Sequence, residues 1–186
     1  MSFVDPEEAR FAALAQEIHE SYRDADDGEW IDSPFAWIRT LPSRTVGAIG
    51  EKLVSAWCLE LGLDVVRSPD RAADRLISGA RVEIKFSTRW QNGEYRFQQI
   101  RDQDYEFLFA LGIAPFAVHA WFIPKAVLKA HVIGQMGQHT GVGASDTDWL
   151  AVRVGTEPQW LRPLGGSLST VREILSQLER PAGRLL

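Results

Sequence analysis

The chain has 186 residues, 45% hydrophobic and 24% charged, which is ordinary for a globular protein and long enough for one domain with a substantial core. Its 20 basic and 25 acidic side chains leave a net charge of −5, which taken alone argues against a nucleic-acid partner. A single cysteine excludes an intramolecular disulfide and a zinc site of several thiolates, and the longest apolar stretch is too interrupted to cross a membrane, so we expect a cytoplasmic protein.

The chain begins with a predicted acidic helix. Asp5 can cap this helix, Pro6 suits its first turn, and apolar side chains follow at helical spacing as far as Tyr22. Residues 30–43, rich in Trp and Pro, are predicted to form an irregular connector. A second helix is predicted from residues 43–45 to residue 61, with an apolar stripe that includes Val46, Leu53 and Trp57.

Strands are predicted to follow the second helix. The candidate runs are 63–67, 74–78, 81–87, 95–100, 105–111 and 117–123. The second and third runs are predicted to pair as a hairpin through a turn at Gly79 and Ala80. A further turn over residues 90–94 leads to the fourth run.

The last third of the chain contains further predicted elements. A helix is expected from Pro124 to about residue 133, a loop over 134–147, a strand over 149–154 and an amphipathic helix over 167–178. This order predicts an α/β fold with a central mixed sheet flanked by helices on both sides. We expect one domain, with an N-terminal helix and connector over 1–43, a core over 44–133, and a loop and C-terminal helix over 134–186.

The negative charge is concentrated at one end of the chain. Residues 1–32 hold ten acids and two bases, a net charge of −8, so the other 154 residues sum to +3. Within 67–101 the bases outnumber the acids by eight to four. The overall charge therefore does not exclude DNA. It predicts weak, salt-sensitive affinity for DNA and an N-terminal helix that faces away from the substrate. The alternative is that the arginines of 67–101 are incidental and lie on a solvated face.

Two carboxylates and a lysine are predicted to meet on the hairpin. Because successive side chains of a strand point to opposite faces, Glu83 and Lys85 share the face opposite Ile84. Pairing across the hairpin brings Asp74 near Glu83. Converging carboxylates repel each other unless a cation lies between them, and such hard oxygen ligands suit Mg²⁺, with Mn²⁺ as a substitute.

This group of side chains suits phosphodiester hydrolysis. A metal ion held by Asp74 and Glu83 would bind a phosphate oxygen and acidify a water. Lys85 would stabilise charge on the pentavalent phosphorus or orient the attacking water. The alternative is a surface strand with an ion pair between residues two apart, because Glu-x-Lys alone is a common pattern.

Three short motifs follow one another between residues 44 and 123. The second helix contains GAIGE at 47–51, an aspartate opens the strand 74–78, and VEIKF lies on the next strand at 82–86. Together they resemble the PD-(D/E)XK nuclease superfamily, and its restriction-endonuclease-like members in particular. The resemblance implies a restriction-endonuclease-like core.

The resemblance also implies an activity and roles for particular residues. The expected activity is Mg²⁺-dependent endonucleolytic cleavage of double-stranded DNA, as in a type II restriction enzyme. Asp74, Glu83 and the carbonyl of Ile84 are implied as metal ligands. Lys85 is implied as the catalytic cation, and Glu51 as an accessory ligand or water-orienting group. A homodimer is expected, because cutting both strands of a duplex usually requires two active sites.

Two details of the motif remain open. The literal Pro-Asp pair ends at Asp70, although Asp74 is favoured because an apolar strand follows it. The exonuclease branch of the superfamily carries Gln-x-x-x-Tyr on a later helix. Gln91 and Tyr95 have this spacing, but the Asn-Gly between them is typical of a turn, so that branch is disfavoured. Gln99 is expected on the strand face of Tyr95, either near the site or at a core or edge position.

Polar side chains in two predicted loops are candidate nucleic-acid contacts. The first set lies at the turn after the hairpin and the second in the loop 134–147: Arg89, Trp90, Gln91 and Asn92, and then Gln138 and His139. An exposed structural Trp is the alternative for the first set. Cys58 and His119 are expected to pack within the fold.

Two other functions are compatible with these patterns. A structure-selective DNA repair nuclease or a nuclease toxin would use the same chemistry on a different substrate. A non-catalytic nucleic-acid-binding module on the same scaffold would explain the strands, but it gives no reason for Asp74, Glu83 and Lys85 to coincide.

Overall fold

A computed structural model describes residue 14 and residues 28–135, 137–138 and 147–178 of the chain. The helices within these ranges are α1 (Ala36–Arg39), α2 (Ser43–Glu60), α3 (Lys125–His131) and α4 (Leu168–Leu178), with a 3₁₀ helix over Arg162–Leu164. The strands are β1 (Val65–Arg67), β2 (Arg75–Ile77), β3 (Ala80–Thr88), β4 (Glu94–Ile100), β5 (Phe107–Ala114), β6 (Ala117–Pro124), β7 (Gly137–Gln138) and β8 (Thr147–Arg153). The predicted N-terminal helix, and therefore its orientation, lies outside the described residues apart from residue 14.

The main sheet has five strands in the order β1-β2-β3-β5-β6. Strands β3 and β5 run parallel and the other neighbours antiparallel, so the sheet is mixed, as predicted. Val54 of α2 and Val171 of α4 pack with Ile84 and Phe109 on one face. These contacts place both helices on the same side of the sheet.

The opposite face of the main sheet is covered by α3 and by a second sheet. This second sheet has three strands in the order β4-β8-β7. Phe97 of β4, Leu150 of β8 and Leu128 of α3 share one buried cluster with Trp121 and Ala110 of the main sheet. The predicted α/β fold with helices on both faces is therefore confirmed, and the second sheet adds a layer that the strand order alone did not predict.

The hairpin of β2 and β3 turns one residue earlier than predicted. Ile77 pairs with Ala80, which leaves Ser78 and Gly79 as the two turn residues, with φ of 48° and 84°. Positive φ at both positions is the requirement of a type I′ turn, whose twist matches that of paired strands. The predicted turn at Gly79 and Ala80 was therefore wrong by one residue, and the corrected register pairs Arg75 with Val82.

Three further predictions need correction. The connector 30–43 contains the single-turn helix α1 and is not wholly irregular. The predicted loop 134–147 contributes the backbone of β7, which pairs with β8. Strand β8 begins at residue 147, two residues before its predicted start. Among the described helices, none is long and apolar enough to span a bilayer.

Helix α2 packs unusually close to β3 at Gly50. A Cβ atom placed on Gly50 would lie 2.4 Å from the Cβ of Phe86, a separation that real atoms do not tolerate. Only glycine therefore lets this turn of the helix approach the strand. The close packing brings the next helical residue, Glu51, to the edge of the site described below.

We expect Gly50→Ala to destabilise the protein by about 1–3 kcal/mol, because the added methyl group overpacks the helix–strand contact. In a chain of this length each kcal/mol lowers the melting temperature by about 2–4 °C. The matched control is Gly47→Ala on the same helix, where nothing lies within 4 Å of an added Cβ. That change should stabilise the helix by about 0.5–1 kcal/mol. Equal melting temperatures for the two variants would contradict this account.

Candidate active site

A cleft of about 530 Å³ opens beside β3, between the start of α2 and the strand β4. Strand β2 pairs with β3 only as far as Val82, so the edge of β3 beyond that residue has no β2 partner. The cleft lies along this open edge. The charged side chains in its wall are Arg39, Glu51, Asp74, Glu83, Lys85 and Arg96.

Asp74 is fixed at the point where β2 begins. Its backbone N–H donates to the carbonyl of Val82 at 3.1 Å, and its carboxylate Oδ2 accepts the backbone N–H of Ile84 at 2.8 Å. The N–H and C=O of one strand residue point to the same edge. The carbonyl of Ile84 therefore faces the same open edge as Asp74. The prediction that Asp74 opens the strand is displaced by one residue, because β2 starts at Arg75.

The alternative aspartate, Asp70, is held elsewhere. The guanidinium of Arg81 donates to both carboxylate oxygens of Asp70, at 2.7 and 2.9 Å, and the backbone N–H of Ala72 donates to Oδ1 at 2.9 Å. These bonds to the charged form, led by those from Arg81, hold the pKa of Asp70 below its ordinary value. Of the two aspartates, only Asp74 lines the cleft.

Glu83 and Lys85 form a largely buried ion pair within the cleft. Lys85 Nζ lies 2.8 Å from Glu83 Oε1, and their side chains are only 18% and 12% exposed. Burial raises the pKa of Glu83 above its ordinary value, the negative charge of Asp74 raises it further, and Lys85 opposes both effects. The two side chains share a strand face, as predicted, and both are largely buried where they line the cleft, so the pair does not lie on an open surface.

Glu51 reaches the cleft from α2 and is paired with a residue that was not predicted. Arg75 NH2 lies 3.3 Å from Glu51 Oε2, while Arg75 NH1 donates to the carbonyl of Asp74 at 2.7 Å and Nε donates to Ser55 Oγ at 3.0 Å. The pKa of Glu51 is raised, first by burial and then by the charge of Asp74, against the opposing effect of Arg75. Arg75 thus ties helix α2 to the segment that presents Asp74.

The donor set of the cleft fits a hard cation. Asp74 and Glu83 are close enough for the charge of one to raise the pKa of the other, which is the condition that a bound cation relieves. Among the described residues, no group of three or more His, Cys, Asp or Glu side chains is arranged to hold a metal ion. Mg²⁺ is commonly held by one or two carboxylates and several waters, so two carboxylates and a backbone carbonyl suit it better than Zn²⁺.

The predicted contacts at the turn after β3 lie next to the cleft. Arg89, Trp90, Gln91 and Asn92 line an adjoining groove, and Trp90 belongs to the walls of both. Asn92 also shapes the turn, since its Oδ1 accepts the N–H of Glu94 at 3.1 Å. Of the loop contacts, His139 and the side chain of Gln138 lie outside the described residues.

A β-bulge alters the predicted placement of Gln99. The register between β4 and β8 shifts between Phe97 and Ile100, and Gln99 has a positive φ of 57°. Because of this extra residue, Gln98 and Gln99 are both exposed and both line the cleft, whereas Tyr95 and Phe97 are fully buried. Gln99 therefore does not share the face of Tyr95.

The two residues expected to pack within the fold do so. Cys58 is fully buried in the cluster beneath α2, and burial raises the pKa of its thiol to about 12. His119 Nδ1 lies 2.8 Å from the hydroxyl of Tyr95, and the two rings are in contact. Burial lowers the pKa of His119. Neither residue lines the cleft.

Comparison with known proteins gives remote similarities of fold. No family model and no protein of curated function matches the sequence. A bacterial homing endonuclease is 15% identical, with a TM-score of 0.47 over 74% of this chain and 94% of that one. A Holliday junction resolvase of Archaeoglobus fulgidus is 13% identical, with a TM-score of 0.37 over 68% of this chain and 95% of that one.

The motif residues occupy the positions that the PD-(D/E)XK resemblance implies. Asp74 immediately precedes β2, Glu83 and Lys85 lie on the paired strand β3, and Glu51 projects from the helix that packs against it. The structure therefore brings these four residues together around one cleft.

Proposed function

We propose that this chain is a metal-dependent nuclease that hydrolyses phosphodiester bonds in DNA. One observation carries the proposal: Asp74, Glu83 and Lys85 converge in one cleft at the open edge of β3. A structural ion pair needs only Glu83 and Lys85. The charge of Asp74 opposes ionisation of Glu83, and a cation bound between the two carboxylates would offset this repulsion.

Each residue of the cleft has a separate role in the proposed hydrolysis. Mg²⁺ held by Asp74, Glu83 and the Ile84 carbonyl would supply positive charge at the phosphate and a water of lowered pKa. Lys85, whose Nζ lies 2.8 Å from Glu83 Oε1, would stabilise the negative charge that develops on the phosphoryl oxygens. Glu51, positioned by Arg75, orients the attacking water.

Among the specific forms, the motif resemblance favours an endonuclease of the type II restriction kind, which would cut double-stranded DNA as a homodimer with one cleft for each strand. In a structure-selective repair nuclease or a nuclease toxin, the same site would carry out the same chemistry on a different DNA substrate. A non-catalytic binding module is the remaining candidate, and it would bind DNA without cutting it.

Metal removal tests the proposal directly. Supercoiled plasmid incubated with the protein and Mg²⁺ should become nicked or linear, and Mn²⁺ should substitute for Mg²⁺. EDTA should abolish cleavage, and added Mg²⁺ should restore it. A protein that binds DNA but cuts neither plasmid, branched nor single-stranded DNA with either ion would support the binding module and overturn the nuclease.

A further inference from the structure

A second groove, of about 450 Å³, adjoins the catalytic cleft, and we call it the flanking groove. Arg39, Thr88, Trp90 and Arg96 belong to the walls of both, so the two form one continuous depression. With Arg89 the flanking groove has three arginines, and none of the described residues that line it is acidic. Its charge is therefore suited to phosphate groups.

Two of the three arginines of the flanking groove, Arg89 and Arg96, can be reached by a ligand. Arg89 pairs with Glu29, and Arg96 NH2 lies 3.6 Å from Glu94 Oε2. Both arginine side chains are about one-third exposed. Ion pairs at such positions contribute little, so the phosphates of a nucleic acid compete with these carboxylates at small cost.

Trp90 gives the flanking groove an aromatic surface in a fixed position. The side chain is 44% exposed although the guanidinium of Arg96 lies 4.2 Å from its ring centroid. Its backbone is held by the turn, since Trp90 N–H donates to the Glu94 carbonyl and Gly93 N–H donates to the Trp90 carbonyl, both at 2.8 Å. A preordered indole of this kind loses little entropy when it stacks on a ligand.

The flanking groove begins a short distance from the reacting centre. Thr88 follows Lys85 by three residues of extended strand, which is about 10 Å. Within a duplex, successive nucleotides of one strand rise by about 3.4 Å, so a DNA strand cleaved beside Lys85 reaches the groove within roughly three nucleotides. Bases within a duplex are covered on both faces by their neighbours, so an indole stacks on a base only where the base is unpaired.

We propose that the flanking groove binds an unpaired segment of the substrate strand, with Trp90 stacked on a base and the three arginines on its phosphates. The DNA that this site cuts then has a duplex joined to a single-stranded or frayed segment a few nucleotides from the cleaved bond. This inference rests on the proposed nuclease activity. It selects the structure-selective form over the restriction-type form, because it requires an unpaired segment in the substrate.

The test is a binding measurement that needs no cleavage. Fluorescence anisotropy in EDTA compares a blunt duplex with the same duplex carrying a single-stranded arm, at one salt concentration. The wild-type protein should prefer the armed duplex, and Trp90→Ala should weaken binding of that DNA by about 5–150-fold, the value of one stacked base. Trp90→Phe should keep most of the preference, because a phenyl ring still stacks.

Trp37 supplies the matched control, since it is 52% exposed and lines neither the cleft nor the flanking groove. Trp37→Ala should bind both DNAs as the wild type does. Equal affinity of the wild-type protein for the two DNAs, or an equal loss on both in Trp90→Ala, would overturn the inference. Because EDTA prevents cleavage, neither result bears on the nuclease proposal, which the plasmid assay tests separately.

Discussion

Asp74→Asn should lower the rate of DNA cleavage by about 10³-fold or more. Asn keeps the shape of the side chain but removes the charge that would pair Asp74 with Glu83 around a cation. Metal-ion stabilisation of a transition state is worth several kcal/mol, and each 1.36 kcal/mol is a factor of about ten in rate. The measurements are single-turnover cleavage of plasmid and calorimetric titration with Mn²⁺, and we expect the heat of binding to disappear together with the activity.

Asp70→Asn is the matched control for this prediction. Asp70 is bonded to Arg81 and lies outside the cleft, so its variant should bind Mn²⁺ and cleave DNA within a few-fold of the wild type. An inactive Asp70→Asn beside an active Asp74→Asn would transfer the role to Asp70. Unaltered Mn²⁺ binding in Asp74→Asn would remove the carboxylate pair as a metal site.

Lys85→Ala should reduce cleavage by about 10²–10³-fold while leaving DNA affinity within a few-fold of the wild type. The ammonium acts where charge develops in the transition state, and it contributes little to the affinity of a long polyanion that touches several arginines. Cleavage rate and anisotropy-based affinity, measured on the same DNA, separate these two effects.

Lys52→Ala supplies the comparison for Lys85, because Lys52 is exposed on α2 and does not line the cleft. Its variant loses the same charge and should cleave normally. If both lysine variants lost activity to the same extent, net charge would explain the result and the assigned role of Lys85 would fail. A Lys85→Ala protein with wild-type rates would contradict the mechanism outright.

Local patterns were enough to predict much of the site. The apolar residues of the hairpin and the glycine between its strands predicted the pairing that brings Asp74 beside Glu83. The period of two along β3 placed Glu83 and Lys85 together. The motif order in the sequence added Glu51, which the structure puts in the same cleft. These features depend on neighbours along the chain, and a sequence displays such neighbours directly.

Other features depend on elements that meet only in the fold. Arg75 bonds Ser55 and Glu51 across about twenty residues, and nothing in the sequence of β2 alone indicates these partners. The bulge that exposes Gln98 and Gln99 is set by pairing with β8, some fifty residues later in the chain. Burial of the Glu83–Lys85 pair likewise depends on elements that pack against β3 in the fold. The alternation of side chains along β3 therefore predicted that the two share a face, but not that they are buried.

The open edge of β3 has a meaning for solubility as well. An unpaired strand edge is a template for another strand, and natural sheets protect such edges with charged side chains and short partners. Here Asp74 occupies the backbone N–H of Ile84, and Glu83 and Lys85 add charges along the same strand. Asp74, which we assign to metal binding, therefore also blocks part of this edge from pairing with another strand. A protein of this fold that lacked Asp74 would need another group to bond the backbone N–H of Ile84 at this edge.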